Sequence, residues 1–72
     1  MYLRLRDLRE DNDLKQIDIA NTLNTSQSTY SKYERGAREA PLDVLIKLAD
    51  FYNTSVDYLL GRTNVREPYP KD

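Results

Sequence analysis

Residues 14–36 read LKQIDIANTLNTSQSTYSKYERG, and two short helical faces stand in them on either side of a tight break. From Lys15 to Leu23 the apolar residues Ile19, Ala20 and Leu23 recur at the three- and four-residue spacing of one helix face, with Leu14 just ahead as an anchor. Asn24-Thr25-Ser26 interrupts that pattern. Asn tolerates the left-handed backbone that ends a helix, and the hydroxyl of Thr25 or Ser26 can cap the next one. A further helix is predicted from about Gln27 to Arg35, with Tyr30, Tyr33 and Glu34 on one face and Gly36 where a C-terminal cap belongs. Its remaining positions, Gln27, Ser28, Ser31 and Lys32, are all polar.

Working outward, Tyr2 to Asp11 places Leu5, Leu8 and Arg9 on one face of a first helix, which Asn12-Asp13 ends with turn chemistry. Pro41 suits the first turn of a fourth helix, whose apolar face is Leu42, Leu45, Leu48, Ala49 and Tyr52 and whose stop is Asn53. Ser55 can cap a short fifth helix carrying Val56, Leu59 and Leu60 and closed by Gly61. Beyond it, Thr63 to Asp72 holds Pro68 and Pro70 with little apolar pattern. The expected fold is all-α, a compact five-helix domain over residues 1–61 with an irregular C-terminal tail over 62–72. Tyr30, Tyr33, Tyr52 and Tyr58 fall on core-facing helical positions, so packing accounts for them.

Composition narrows the chemistry. A chain of 72 residues supports one small core, and a domain of this size hides only about 60% of the surface its unfolded form exposes. Cysteine and histidine are both absent, which removes disulfides, thiolate and imidazole metal ligands, and the usual general base near neutral pH. No catalysis, cofactor or metal is expected. No apolar run approaches the roughly 20 residues that span a bilayer, and the N-terminal residues alternate Leu with Arg and Asp rather than building a signal-peptide core. A cytoplasmic protein without a membrane partner is expected. The net charge is −1, but it is polarised: residues 27–38 carry Lys32, Arg35 and Arg38 against Glu34 alone, whereas residues 39–72 hold four bases against six acids.

Two short helices joined by a three- or four-residue turn form a helix-turn-helix unit. The second helix contrasts tyrosines on one face with small or long polar groups on the other, and a helix that reads base edges in the major groove needs such a face. The residues resemble the helix-turn-helix domains of the phage repressor and Cro type, the XRE family. The resemblance runs through residues 5–10 (LRDLRE), Leu14-Lys15-Gln16, Ile19-Ala20, Leu23, residues 26–36 (SQSTYSKYERG), residues 45–49 (LIKLA) and residues 56–61 (VDYLLG). It implies double-stranded DNA as partner, with Gln27, Ser28 and Lys32 reading bases. It also implies backbone contacts from Asn12, Gln16, Ala37 and Arg38, and an internal salt bridge between Arg9 and Glu34. The implied role is a transcriptional regulator, expected to repress from a two-fold symmetric operator.

The sequence departs from the family pattern at several positions. Asp13 and Asn24 stand where glycine is usual, Lys15 replaces a capping Thr or Ser, Ile17 replaces a polar residue, and Ala40-Pro41 shifts the usual proline by one. Lysine cannot cap, so the second helix is expected to be weakly anchored at its start. One small domain reads few base pairs, so a homodimer is expected, with Val56, Leu60, Val65 and Tyr69 as its candidate apolar contact. The alternative is a protein-interaction module, such as an antitoxin that binds a partner protein.

Overall fold

The computed structural model describes residues 4–70. It has five helices, α1 (Leu5–Asp11), α2 (Gln16–Thr22), α3 (Gln27–Arg35), α4 (Leu42–Phe51) and α5 (Val56–Leu59), and no strand among the described residues. The predicted beginning of the first helix at Tyr2 lies outside the described residues. No helix among those described is long and apolar enough to cross a membrane.

All five helices stop in the same way. Asp13, Asn24, Gly36, Asn53 and Gly61 have φ of 56°, 56°, 75°, 54° and 75°, each one or two residues past the last helical residue. The next amide then reaches back five residues: Leu14 to Arg9, Thr25 to Ala20, Ala37 to Lys32, Thr54 to Ala49 and Arg62 to Asp57, at 2.8–3.0 Å. This 6→1 bond satisfies a carbonyl that a helix end would otherwise leave open. The residues in place of glycine at 13 and 24 therefore keep the left-handed turn. Asp13 does so against a steric penalty between its Cβ and the backbone, about 1–2 kcal/mol for an ordinary side chain. Asp13→Gly is expected to raise the unfolding free energy by about 0.5–1 kcal/mol, since the extra freedom of an unfolded glycine offsets part of the relief. A urea midpoint that rises at unchanged slope checks this; a falling midpoint counts against it.

The helix starts differ more. Ser26 is extended (φ −79°, ψ 153°), and its hydroxyl accepts from the Thr29 amide, so it rather than Thr25 caps α3. Ser55 caps α5 through the Tyr58 amide. Lys15 does not cap α2 with its side chain, yet the start is not weak: the Asp18 carboxylate accepts from the Lys15 amide at 2.9 Å, and Arg9 donates to the Leu14 carbonyl at 2.9 Å. Pro41 lies one residue outside α4 as its extended cap (ψ 156°), not within its first turn.

Leu5, Leu8, Ile19, Ala20, Leu23, Tyr30, Tyr33, Leu45, Leu48, Ala49, Tyr52 and Leu59 form one core drawn from every helix. Leu42 is not part of it. At 66% exposure it occupies the first helical position, where the apolar stripe of α4 has run past the edge of the packing. Tyr58 is half-buried against the core, with the Arg4 guanidinium 4.3 Å above its ring.

Residues 62–70 are irregular but pinned. Arg4 donates to the Thr63 carbonyl and the Asn64 side chain, the Thr54 hydroxyl donates to the Arg66 carbonyl, and the Tyr69 hydroxyl donates to Asp57 at 2.7 Å.

Candidate nucleic-acid interface

The α2–α3 corner brings the expected base-reading residues onto one surface. Gln27 and Ser28 occupy the first turn of α3, Lys32 lies one turn beyond Ser28, and all three are exposed. Tyr30 and Tyr33 on the opposite face are buried, which fixes the helix's rotation and leaves its polar face outward.

That rotation is also held by charge. Arg9 of α1 donates from Nε and Nη2 to the two carboxylate oxygens of Glu34, at 3.0 and 2.8 Å. The Gln16 amide approaches the same carboxylate at 3.4 Å. The side chains are 15% and 4% exposed, so the pair is largely withdrawn from water. Burial alone would push the Glu34 carboxyl up, but the hydrogen bonds and charge of Arg9, helped by the Tyr30 hydroxyl and the Gln16 amide, outweigh it and hold it below its ordinary range. Arg9 is correspondingly raised by its bond to Glu34. The Tyr30 hydroxyl lies close enough to Glu34 to help hold its charge, although neither it nor the Tyr52 hydroxyl, both buried, completes a hydrogen bond of regular geometry. Burial, reinforced by the Glu34 charge, pushes both phenols up, Tyr52 to about 12, so they remain neutral.

The expected backbone-contact residues surround this corner. Gln16 begins α2 and is half-buried. Asn12 is exposed just after α1, with its side-chain amide nitrogen donating to the Leu8 carbonyl at 2.7 Å. The Ala37 and Arg38 amides both turn inward to the Lys32 carbonyl, at 2.9 and 3.3 Å. In this loop the Arg38 guanidinium is therefore the group available to an anion.

Residues 5–59 match the Helix-turn-helix family. The chain belongs to the helix-turn-helix family, in its XRE type. Relatives of this helix-turn-helix domain include the uncharacterized HTH-type transcriptional regulator YobD of Bacillus subtilis, 41% identical over 68 residues, covering 94% of this chain and 59% of the relative. The HTH-type transcriptional regulator ImmR of the same organism is 38% identical over 69 residues, 96% of this chain and 54% of the relative. The cryptic phage CTXphi transcriptional repressor RstR of Vibrio cholerae is 36% identical over 66 residues, 89% and 60% of the two chains. The helix-turn-helix chain thus spans little more than half the length of these curated relatives.

Of the four residues expected at a dimer contact, Val56 and Tyr69 line a common groove, with Ile46 and Pro68, whereas Leu60 lines another with Tyr33, Ala40 and Leu45. Val65 and Tyr69 are exposed on the tail. Among the described residues no acidic cluster is placed to hold a metal ion.

Proposed function

We propose that this helix-turn-helix domain binds duplex DNA in a sequence-specific way as a transcriptional regulator, a repressor that docks as a homodimer on a two-fold symmetric operator. The observation that carries the reading is the outward polar face of α3, with Gln27, Ser28 and Lys32 presented while Arg9–Glu34 and two buried tyrosines hold the helix from behind. Glutamine can pair with adenine through two hydrogen bonds, lysine can donate to guanine O6 and N7, and serine adapts to either. Asn12, Gln16 and Arg38 border that face and are assigned to the DNA backbone, with Ala37 shaping the loop that presents Arg38. The names of ImmR and RstR as regulator and repressor support the same reading.

Residues 1–61 are assigned as the DNA-binding domain and 62–72 as a tail. The reading involves no catalytic step and no cofactor, and it places the protein in the cytoplasm with its DNA. For the dimer we favour the side of α5 that carries Val56 beside Tyr69, because Leu60 lines the other groove.

Selection from a randomised duplex pool at two salt concentrations tests the proposal. An enriched two-fold symmetric motif, retained less well at high salt, is the expected result. A folded protein that enriches nothing would overturn it and direct the search to a protein partner.

A further inference from the structure

Between α1, α2 and α3 lies an open cavity of about 340 Å³, lined by Arg6, Arg9, Gln16, Ser31, Glu34 and Arg35. Three guanidinium groups and one carboxylate meet there, but they do not face solvent equally. Glu34 is 4% exposed and both its oxygens accept from Arg9, so little negative charge reaches the opening. The outward walls are Arg6, 69% exposed, and Arg35, together with the half-buried Gln16 and Ser31. Among the described residues Arg6 pairs with Glu10, one helical turn along α1 and itself exposed, a pair that exchanges readily with solvent or with another anion. Arg35 carries no ion pair among the described residues.

We propose that this cavity is a clamp for one backbone phosphate of the bound duplex, with Arg6 and Arg35 as its two cationic walls and Gln16 at its floor. The proposal rests on the DNA-binding reading above. A phosphodiester presents two unesterified oxygens, and the planar guanidinium fork matches that pair better than any other side chain. Ser31 and Arg35 follow Ser28 and Lys32 along α3 by steps of three and four residues, so they continue the surface assigned to base reading. A duplex lying along that surface passes the mouth of the cavity. The long 3.4 Å approach of Gln16 to Glu34 leaves its amide ready to turn to a stronger acceptor. Arg9 makes the neighbouring carboxylate tolerable to an incoming anion, because that charge is already compensated.

The test compares the parent with the Arg6→Ala/Arg35→Ala double variant on a fluorescently labelled short duplex of arbitrary sequence, following the binding constant against salt. The expected result is a log–log salt slope shallower by about 0.9, the signature of one lost phosphate contact. The loss should be equal for arbitrary duplexes and for any duplex the parent enriches. Arg6→Lys/Arg35→Lys should retain the slope, since the charge remains. An unchanged slope in the double alanine variant overturns the clamp. So does an equal change in Arg62→Ala, on the tail, because net charge alone would then be sensed. Side-chain NMR shifts at Arg6 and Arg35 on adding inorganic phosphate, with no change in duplex binding, would mark a free-anion site instead. If the parent binds no duplex, the DNA reading falls and the clamp with it; if the parent binds and the double variant keeps its slope, the clamp alone falls.

Discussion

Arg9→Ala is expected to lower the unfolding free energy by about 3–5 kcal/mol, the cost of stranding one partner of a buried ion pair. Glu34 is 4% exposed and its two oxygens accept from Arg9 alone at under 3.1 Å. Without the guanidinium, only the Tyr30 hydroxyl and the long Gln16 contact stand against the desolvation that opposes its charge. The Leu14 carbonyl loses its Arg9 donor in the same substitution, which loosens the chain leading into α2. For a domain with so small a core this is a large share of the total stability. The pH dependence separates the cause from general damage. In the parent, the folded pKa of Glu34 lies below its unfolded value. Its stabilisation is therefore complete above the unfolded carboxylate range, about pH 4.3, and is lost as pH falls through the folded pKa. In Arg9→Ala the balance reverses: burial raises the folded pKa, so the carboxylate destabilises the fold at neutral pH and ceases to do so once protonated. The deficit between variant and parent should shrink on acidification. Denaturant melts across that range would refute this account if the deficit were constant. An Arg9→Met/Glu34→Leu pair, which removes both charges, should recover much of the stability.

The elements were legible because two kinds of signal agreed along the chain. Apolar residues at helical spacing marked each inner face, and Asn, Asp or Gly marked each left-handed stop. What local pattern could not show was which partner a residue meets across the fold. Lys15 reads as a failed cap, and the repair comes from Asp18, three residues later, and from Arg9 on another helix. Asp18, an acid in the first turn of α2, is the one local signal in the sequence of that repair. Val56 opens α5 and Leu60 is the residue just after it, close on the same side of the helix, yet the two line different grooves, which only the surrounding chain decides. The tail carries no apolar period because polar groups anchor it, through Thr54 and Asp57 to residues 66 and 69. Such pairings leave no periodic trace. At the candidate interface, the resemblance placed Gln27, Ser28 and Lys32 on α3 and paired Arg9 with Glu34. In the sequence Arg6 is an ordinary solvated arginine and Arg35 one base of the stretch 27–38; only their convergence across α1 and α3 gives them a shared anion to hold.

Lys32→Ala should cost about 1–3 kcal/mol of discrimination, roughly 5- to 150-fold, at one position of the enriched duplex while leaving the others unchanged. Lys32 is exposed on α3 one turn beyond Ser28, so removing its side chain opens no core cavity, and its carbonyl still receives the Ala37 and Arg38 amides. The helix itself should be intact, and the thermal melt should barely move. A lysine that donates to guanine O6 and N7 contributes only where guanine stands, so its loss should flatten the preference at that base pair. Arg38→Ala provides the contrast: a guanidinium on the loop beyond α3 that meets phosphate should weaken every duplex about equally and make the salt slope shallower. Repeating the selection with each variant distinguishes the two roles, because one changes the motif and the other changes only how much duplex is retained. If Lys32→Ala enriches the parental motif with undiminished preference at every position, Lys32 faces phosphate or solvent, and base reading on α3 must be carried by Gln27 and Ser28 alone.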